Sequence, residues 1–134
     1  MNAALNIEYV VAINHEIQSM IPDELQSIDV LNNLMLRFST HLAFTGEQMA
    51  ISKRIWRKEL AKAYETFVIS SEANASRVER YGKMVVQDYI KSKCGDMESQ
   101  YEYIERTNKA LTHSIDAIRT AISALKEQLK NIAA

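Results

Sequence analysis

Proline occurs once, at Pro22, glycine three times, at Gly46, Gly82 and Gly95, and cysteine once, at Cys94, in a chain of 134 residues. So few turn-forming residues exclude a series of tight hairpins, and with it a β-sandwich. A single cysteine excludes an internal disulfide and a multi-cysteine metal site, and it fits a reducing compartment. No apolar run approaches the ~20 residues that cross a bilayer. The opening segment MNAALNIEYVVAINHEI has no basic stretch leading into an apolar one, so neither a signal peptide nor a membrane partner is expected, and the expected location is the cytoplasm. The three glycines stand apart from one another, which excludes a glycine-rich phosphate loop and argues against nucleotide hydrolysis. Nor does either sign of charge dominate: Lys and Arg number 16 and Asp and Glu 17, for a net charge of −1.

What the chain does have is helical periodicity. Leu5, Tyr9, Val10, Ile13, Ile17, Met20 and Ile21 recur at spacings of three and four, and Pro22 ends that helix. Pro22-Asp23-Glu24 then reads as a new helix start, with proline pre-set for a first turn and acids at the positive end of the helix dipole. Leu25, Ile28, Leu31, Leu34, Met35, Phe38 and Leu42 carry the second helix to Thr45-Gly46. There glycine and a possible capping box, Thr45 with Gln48, predict a kink or short break. From Glu47 to Lys93 no proline intervenes, so one long helix is predicted. Cys94-Gly95-Asp96 reads as a tight connection, with a left-handed glycine cap followed by an aspartate N-cap and an antiparallel return.

The last helix is the most regular. Met97, Tyr101, Ile104, Asn108, Leu111, Ile115, Ile118, Ile122, Leu125, Leu129 and Ile132 alternate spacings of four and three, a seam of about five heptads. Asn108 is its one strongly polar member, a residue that fixes register or oligomer state at some cost in stability. A facing stretch reads Leu60, Tyr64, Phe67, Ser71, Asn74, Val78, Tyr81 and Val85, with a small and polar middle. The expected fold is therefore all-α: one domain over residues 1–134, an elongated helical hairpin or coiled coil preceded by two shorter helices. Residues 1–45 form the acidic N-terminal helices, 47–93 a long basic helix and 96–132 the heptad-patterned C-terminal helix. The seam either closes within the chain or joins neighbouring chains. The expected state is a homo-oligomer held by Ile104, Asn108, Leu111, Ile115, Ile118, Ile122, Leu125 and Leu129.

The balanced net charge hides an asymmetry. Residues 1–52 hold only Arg37 against Glu8, Glu16, Asp23, Glu24, Asp29 and Glu47, a net −5, whereas residues 53–93 carry a net +5. Lys53, Arg54, Arg57, Lys58 and Lys62 cluster on about three turns with Trp56 among them, while Glu59 and Glu65 interrupt the run. Such a stripe neutralises phosphates, and a tryptophan beside it can stack on an unpaired base, a pairing suited to a single strand without sequence preference. The same pattern also describes a solvated helix face with Ile55, Trp56 and Leu60 in the core. A weaker basic group, Arg77, Arg80 and Lys83, is offset by Glu72 and Glu79.

Catalytic and metal chemistry needs several groups gathered in one pocket. His15, His41 and His113 fall in separate predicted helices, and none has a second histidine or cysteine at i+3 or i+4. His15-Glu16 does not open a zinc-protease helix, because Ser19 stands where the second histidine belongs. Cys94 has Lys91 and Lys93 nearby but no adjacent histidine base, and Glu98, Glu102 and Glu105 suit the start of a helix. No catalytic residue, metal ligand or cofactor is expected, and the chain is read as non-enzymatic.

The segment Asn32-Asn33-Leu34-Met35-Leu36, the basic run Lys53 to Lys62 followed by Ala63-Tyr64, and the long last helix together resemble the UvsY-like phage recombination mediators, over roughly residues 25–130. The resemblance implies an oligomer in the host cytoplasm that binds single-stranded DNA while a single-strand-binding protein is displaced, and that helps load a recombinase. It implies phosphate contacts at Lys53, Arg54, Arg57, Lys58 and Lys62, and subunit contacts from Leu111 to Ile132. The first functional expectation is therefore a single-stranded-DNA-binding accessory protein, with Lys53, Arg54, Trp56, Arg57, Lys58 and Lys62 as its site. The alternative is a phage-type helical interaction module, an inhibitor, adaptor or assembly factor, that binds no nucleic acid.

Overall fold

The computed structural model describes residues 4–20, 27–70 and 82–133. Among them lie four helices and no strand: α1 (Ile7–Gln18), α2 (Ile28–Ile69), α3 (Lys83–Ser92) and α4 (Gly95–Ala133). The protein is all-α, as its periodicity predicts, and none of these helices is long and apolar enough to cross a membrane. The predicted helix start at Pro22-Asp23-Glu24 lies outside the described residues.

α1 begins where Asn6 Oδ1 accepts the Tyr9 N–H at 3.1 Å, which satisfies one of the donors that a helix N-terminus leaves free. The Asn6 N–H in turn donates to Gln48 Oε1 at 2.6 Å, so the start of α1 is tied to α2.

The break expected at Thr45-Gly46 does not occur: α2 runs through both residues without interruption. Thr45 is fully buried, and its hydroxyl donates back to Leu42 O at 3.1 Å while accepting the Asn108 amide at 2.8 Å. A threonine engaged in that way cannot cap a new helix, and the intrinsic penalty of Gly46, ~1 kcal/mol, is small beside the packing around it.

The single helix expected over 47–93 is also corrected. α2 ends at Ile69 and α3 starts only at Lys83; residues 71–81, and with them Ser71, Asn74, Val78 and Tyr81 of the expected facing stretch, lie outside the described residues. At the end of α2 the Ser70 hydroxyl donates to Thr66 O and Phe67 O. Before α3, Gly82 adopts φ 81° and ψ 160°, a conformation essentially reserved for glycine. Gly82→Ala is expected to cost α3 ~1–3 kcal/mol, read as faster amide hydrogen exchange across residues 83–92.

The left-handed cap expected at Gly95 is absent, because Gly95 is the first residue of α4 and Gly82 is the one glycine of positive φ among the described residues. The connection is instead made by two short-range bonds, Lys93 N–H to Ile90 O and Cys94 N–H to Lys91 O, that keep the backbone right-handed.

The chain divides into two compact units. One contains Asn6–Gln48 and Ile104–Ala134, the other Met1–Leu5 and Met49–Tyr103. In the first, α1 and the N-terminal part of α2 pack on the C-terminal part of α4 through Ile13, Leu31, Phe38, Leu111, Ile115, Ile118 and Ile122. There α2 and α4 run antiparallel, since Ile28 shares a groove with Leu129 while Thr45 meets Asn108. The heptad residues Ile104, Leu111, Ile115, Ile118 and Ile122 are thus buried within one chain, Leu125 is half-buried, and Leu129 is 57% exposed. The positions expected to meet neighbouring subunits are largely covered by the chain itself. Asn108 makes its register-fixing bonds inside this unit, to Thr45 Oγ1 and, at 3.3 Å, to Leu42 O.

The second unit has a thinner interior. Among its described residues only Ser52, Ile90 and Cys94 are buried, with Ile55, Trp56, Leu60, Tyr64, Phe67 and Tyr101 half-buried, while Val85 of the expected facing stretch is exposed.

Candidate nucleic-acid interface

The 3.6-residue turn sorts residues 50–62 of α2 into two faces. Inward lie Ser52, Ile55, Trp56, Glu59 and Leu60; outward lie Ala50, Arg54, Arg57, Lys58, Ala61 and Lys62. Ala50, Lys53, Arg54, Arg57, Lys58 and Ala61 line a shallow, open groove of about 480 Å³ along the helix. The two alanines leave room at its ends, and the long cationic side chains form its walls.

Arg54, Arg57 and Lys58 are exposed, and no ion-pair partner faces them among the described residues. Their heads carry only donors, so this face offers hydrogen bonds and positive charge to any acceptor anion. The other three residues of the expected site behave differently. Lys62 is exposed but pairs with Glu59 at 3.5 Å, an i,i+3 contact that partly neutralises it. Lys53 is half-buried, with its ammonium 6.0 Å from the centre of the Tyr101 ring. Trp56 is half-buried and stacks on Tyr101, with ring centres 6.0 Å apart and planes 23° from parallel. The structure therefore gathers five of the six residues' cationic groups around one stretch of helix but turns the aromatic inward.

Of the weaker basic group, Lys83 is exposed on α3, and Arg77 and Arg80 lie outside the described residues. Elsewhere in that unit Lys93 sits 4.9 Å over the Tyr89 ring. Cys94 is buried at 5% exposure, which removes it from contact with an external electrophile.

Among the described residues, no group of three or more His, Cys, Asp or Glu converges. His15 and His113 are exposed. His41, in contrast, is buried in the first unit, and its Nε2 lies 3.2 Å from Glu16 Oε2. A carboxylate only accepts, so Nε2 carries the proton. Nδ1 is buried without a hydrogen-bond partner among the described residues. Arg37, the one Lys or Arg of residues 1–52, reaches the same carboxylate at 2.7 Å. Sequence reasoning missed this Glu16–Arg37–His41 set. The signal available was the i,i+4 spacing of Arg37 and His41, which places both on one helix face, but nothing local identified Glu16 as their partner. Its effect is to link α1 to α2 and to use one of the N-terminal acids inside the chain.

Neither a known protein family, nor a characterised protein, nor a solved structure matches this chain, so its residues themselves carry the functional reading.

Proposed function

We propose that the protein is a non-enzymatic helical accessory protein that binds single-stranded nucleic acid along the outer face of α2 and acts as a homo-oligomer. The observation that carries this reading is the row Arg54, Arg57 and Lys58: three exposed cations on one helix face, without anionic partners among the described residues, beside small alanines that admit a strand. Three phosphate contacts per chain make a weak site, and repetition of the row in an oligomer raises its effective affinity along one strand. Self-association and a coiled-coil arrangement of subunits belong to the same proposal. Exposed apolar residues outside the packed seam, Leu129 and Ile132, offer a surface for them. A recombinase and a single-strand-binding protein are the partners that the resemblance to phage mediators implies.

The test is a fluorescence-anisotropy titration of a labelled strand of ~30 nucleotides and its duplex at low and moderate salt, with solution mass measured on the same preparation. Arg54→Ala, Arg57→Ala and Lys58→Ala combined are expected to weaken strand binding by about tenfold or more at low salt. The slope of log K against log salt should become shallower by about 2, at ~0.7 per lost phosphate contact. The melting curve should be unchanged, because the three side chains are exposed. A second reading, a protein-interaction module without nucleic-acid binding, draws on the exposure of Leu36 at 70% and Ile132 at 82%. Absence of strand binding at low salt would favour it.

A further inference from the structure

The geometry points to an interface that grips the phosphodiester backbone and leaves the bases unread. This rests on the strand-binding reading above and names the part of the strand that is recognised. Trp56 is the only tryptophan in the chain and the only aromatic residue between Met49 and Lys62. On an α-helix, two residues correspond to ~200° of rotation, so Trp56 lies on the side opposite both Arg54 and Lys58. The stacking with Tyr101 holds the indole there, half-buried and 23° from parallel.

A base held by phosphate contacts to Arg54 and Lys58 therefore meets no aromatic side chain from its own stretch of helix. Ala50 and Ala61, at the ends of the groove, have no side-chain donor or acceptor for a base edge. What the row does offer is charge at phosphate spacing, since Arg54 and Lys58 stand ~6 Å apart along the axis and long side chains extend that reach. Recognition is then indifferent to base identity and to the presence of bases. Any preference for a single strand over duplex comes from the flexibility with which a strand follows the row.

The test compares two labelled strands of equal length, one ordinary and one carrying abasic sites throughout, titrated at low salt while the emission of Trp56 is followed. A stacked base is worth about five- to 150-fold in affinity, so the two strands should bind within about fivefold of each other. Trp56 emission should not fall as the ordinary strand saturates the protein. Weakening of the abasic strand by more than about fivefold, or base-dependent quenching of Trp56, overturns backbone-only recognition and leaves strand binding standing. Binding of neither strand overturns both.

Discussion

Ile118→Asp is expected to unfold the unit built from α1, the start of α2 and the end of α4. Ile118 is 2% exposed and belongs to a cluster whose buried members are all apolar. Loss of an aliphatic side chain from such a site costs ~2–5 kcal/mol through lost transfer energy and the cavity left behind. The new carboxylate finds no basic partner among those apolar neighbours, so it is either buried as an uncompensated charge or forced to take up a proton, and both cost on the order of several kcal/mol more. Together these losses rival the ~5–15 kcal/mol that holds a whole domain folded. Far-ultraviolet circular dichroism and a thermal melt read the outcome. The control is Ile132→Asp, where an 82% exposed side chain on the same helix should change stability by no more than ~0.5 kcal/mol. The pair also separates packing from assembly. If self-association uses the exposed end of α4, Ile132→Asp lowers the solution mass and leaves the melt intact. An unchanged melt for Ile118→Asp would show that the cluster is not the core.

Phe38→Ala should cost ~3–5 kcal/mol, the next largest loss among single changes. Phe38 is fully buried beside Leu31 and the Leu111–Ile122 ladder, and its ring centre lies 6.2 Å from that of His41. The cavity left by alanine opens next to His41, whose Nδ1 has no hydrogen-bond partner among the described residues, so water entering there would recover a small part of the loss. Urea denaturation gives the number, with a lower midpoint and an unchanged slope if unfolding stays two-state. Phe38→Leu keeps most of the volume and should cost only ~1–1.5 kcal/mol. A loss below ~1 kcal/mol for the alanine variant would place Phe38 outside the core.

Periodicity made α1, α2 and α4 legible because each has one buried stripe at helical spacing, and a stripe is a property of local order. The residues between Ile104 and Ile122 could be named as a seam for that reason. What covers them could not be named. A heptad seam has the same pattern whether its partner is α2 of its own chain or a helix of another, and Leu31 and Phe38 show no preference until the chain folds. Thr45-Gly46 misled because capping is judged from sequence neighbours, whereas Thr45 is engaged by Asn108, 63 residues away. Gly82 was passed over since a lone glycine costs a helix only ~1 kcal/mol, and its positive φ is not encoded in its neighbours. In the candidate site, the outward placement of Arg54, Arg57 and Lys58 follows from their own spacing. Trp56 was ambiguous because its partner, Tyr101, lies on another helix.

The division of the chain into an inner stretch and two outer ones has a consequence for its birth on the ribosome. Residues 6–48 are synthesised first, yet the apolar faces of Ile13, Leu31 and Phe38 are closed by Leu111 to Ile122. Those faces therefore stay open through the making of some sixty intervening residues, and at ~5–20 residues per second that is an interval of several seconds. During it the nascent chain presents an amphipathic helical surface with no intramolecular cover, the condition under which hydrophobic segments attract chaperones or one another. The loop that must then close is long, which adds only a logarithmic entropic cost but delays the closing contact until the last helix emerges. Joining the two outer stretches by circular permutation would let the core form without that wait.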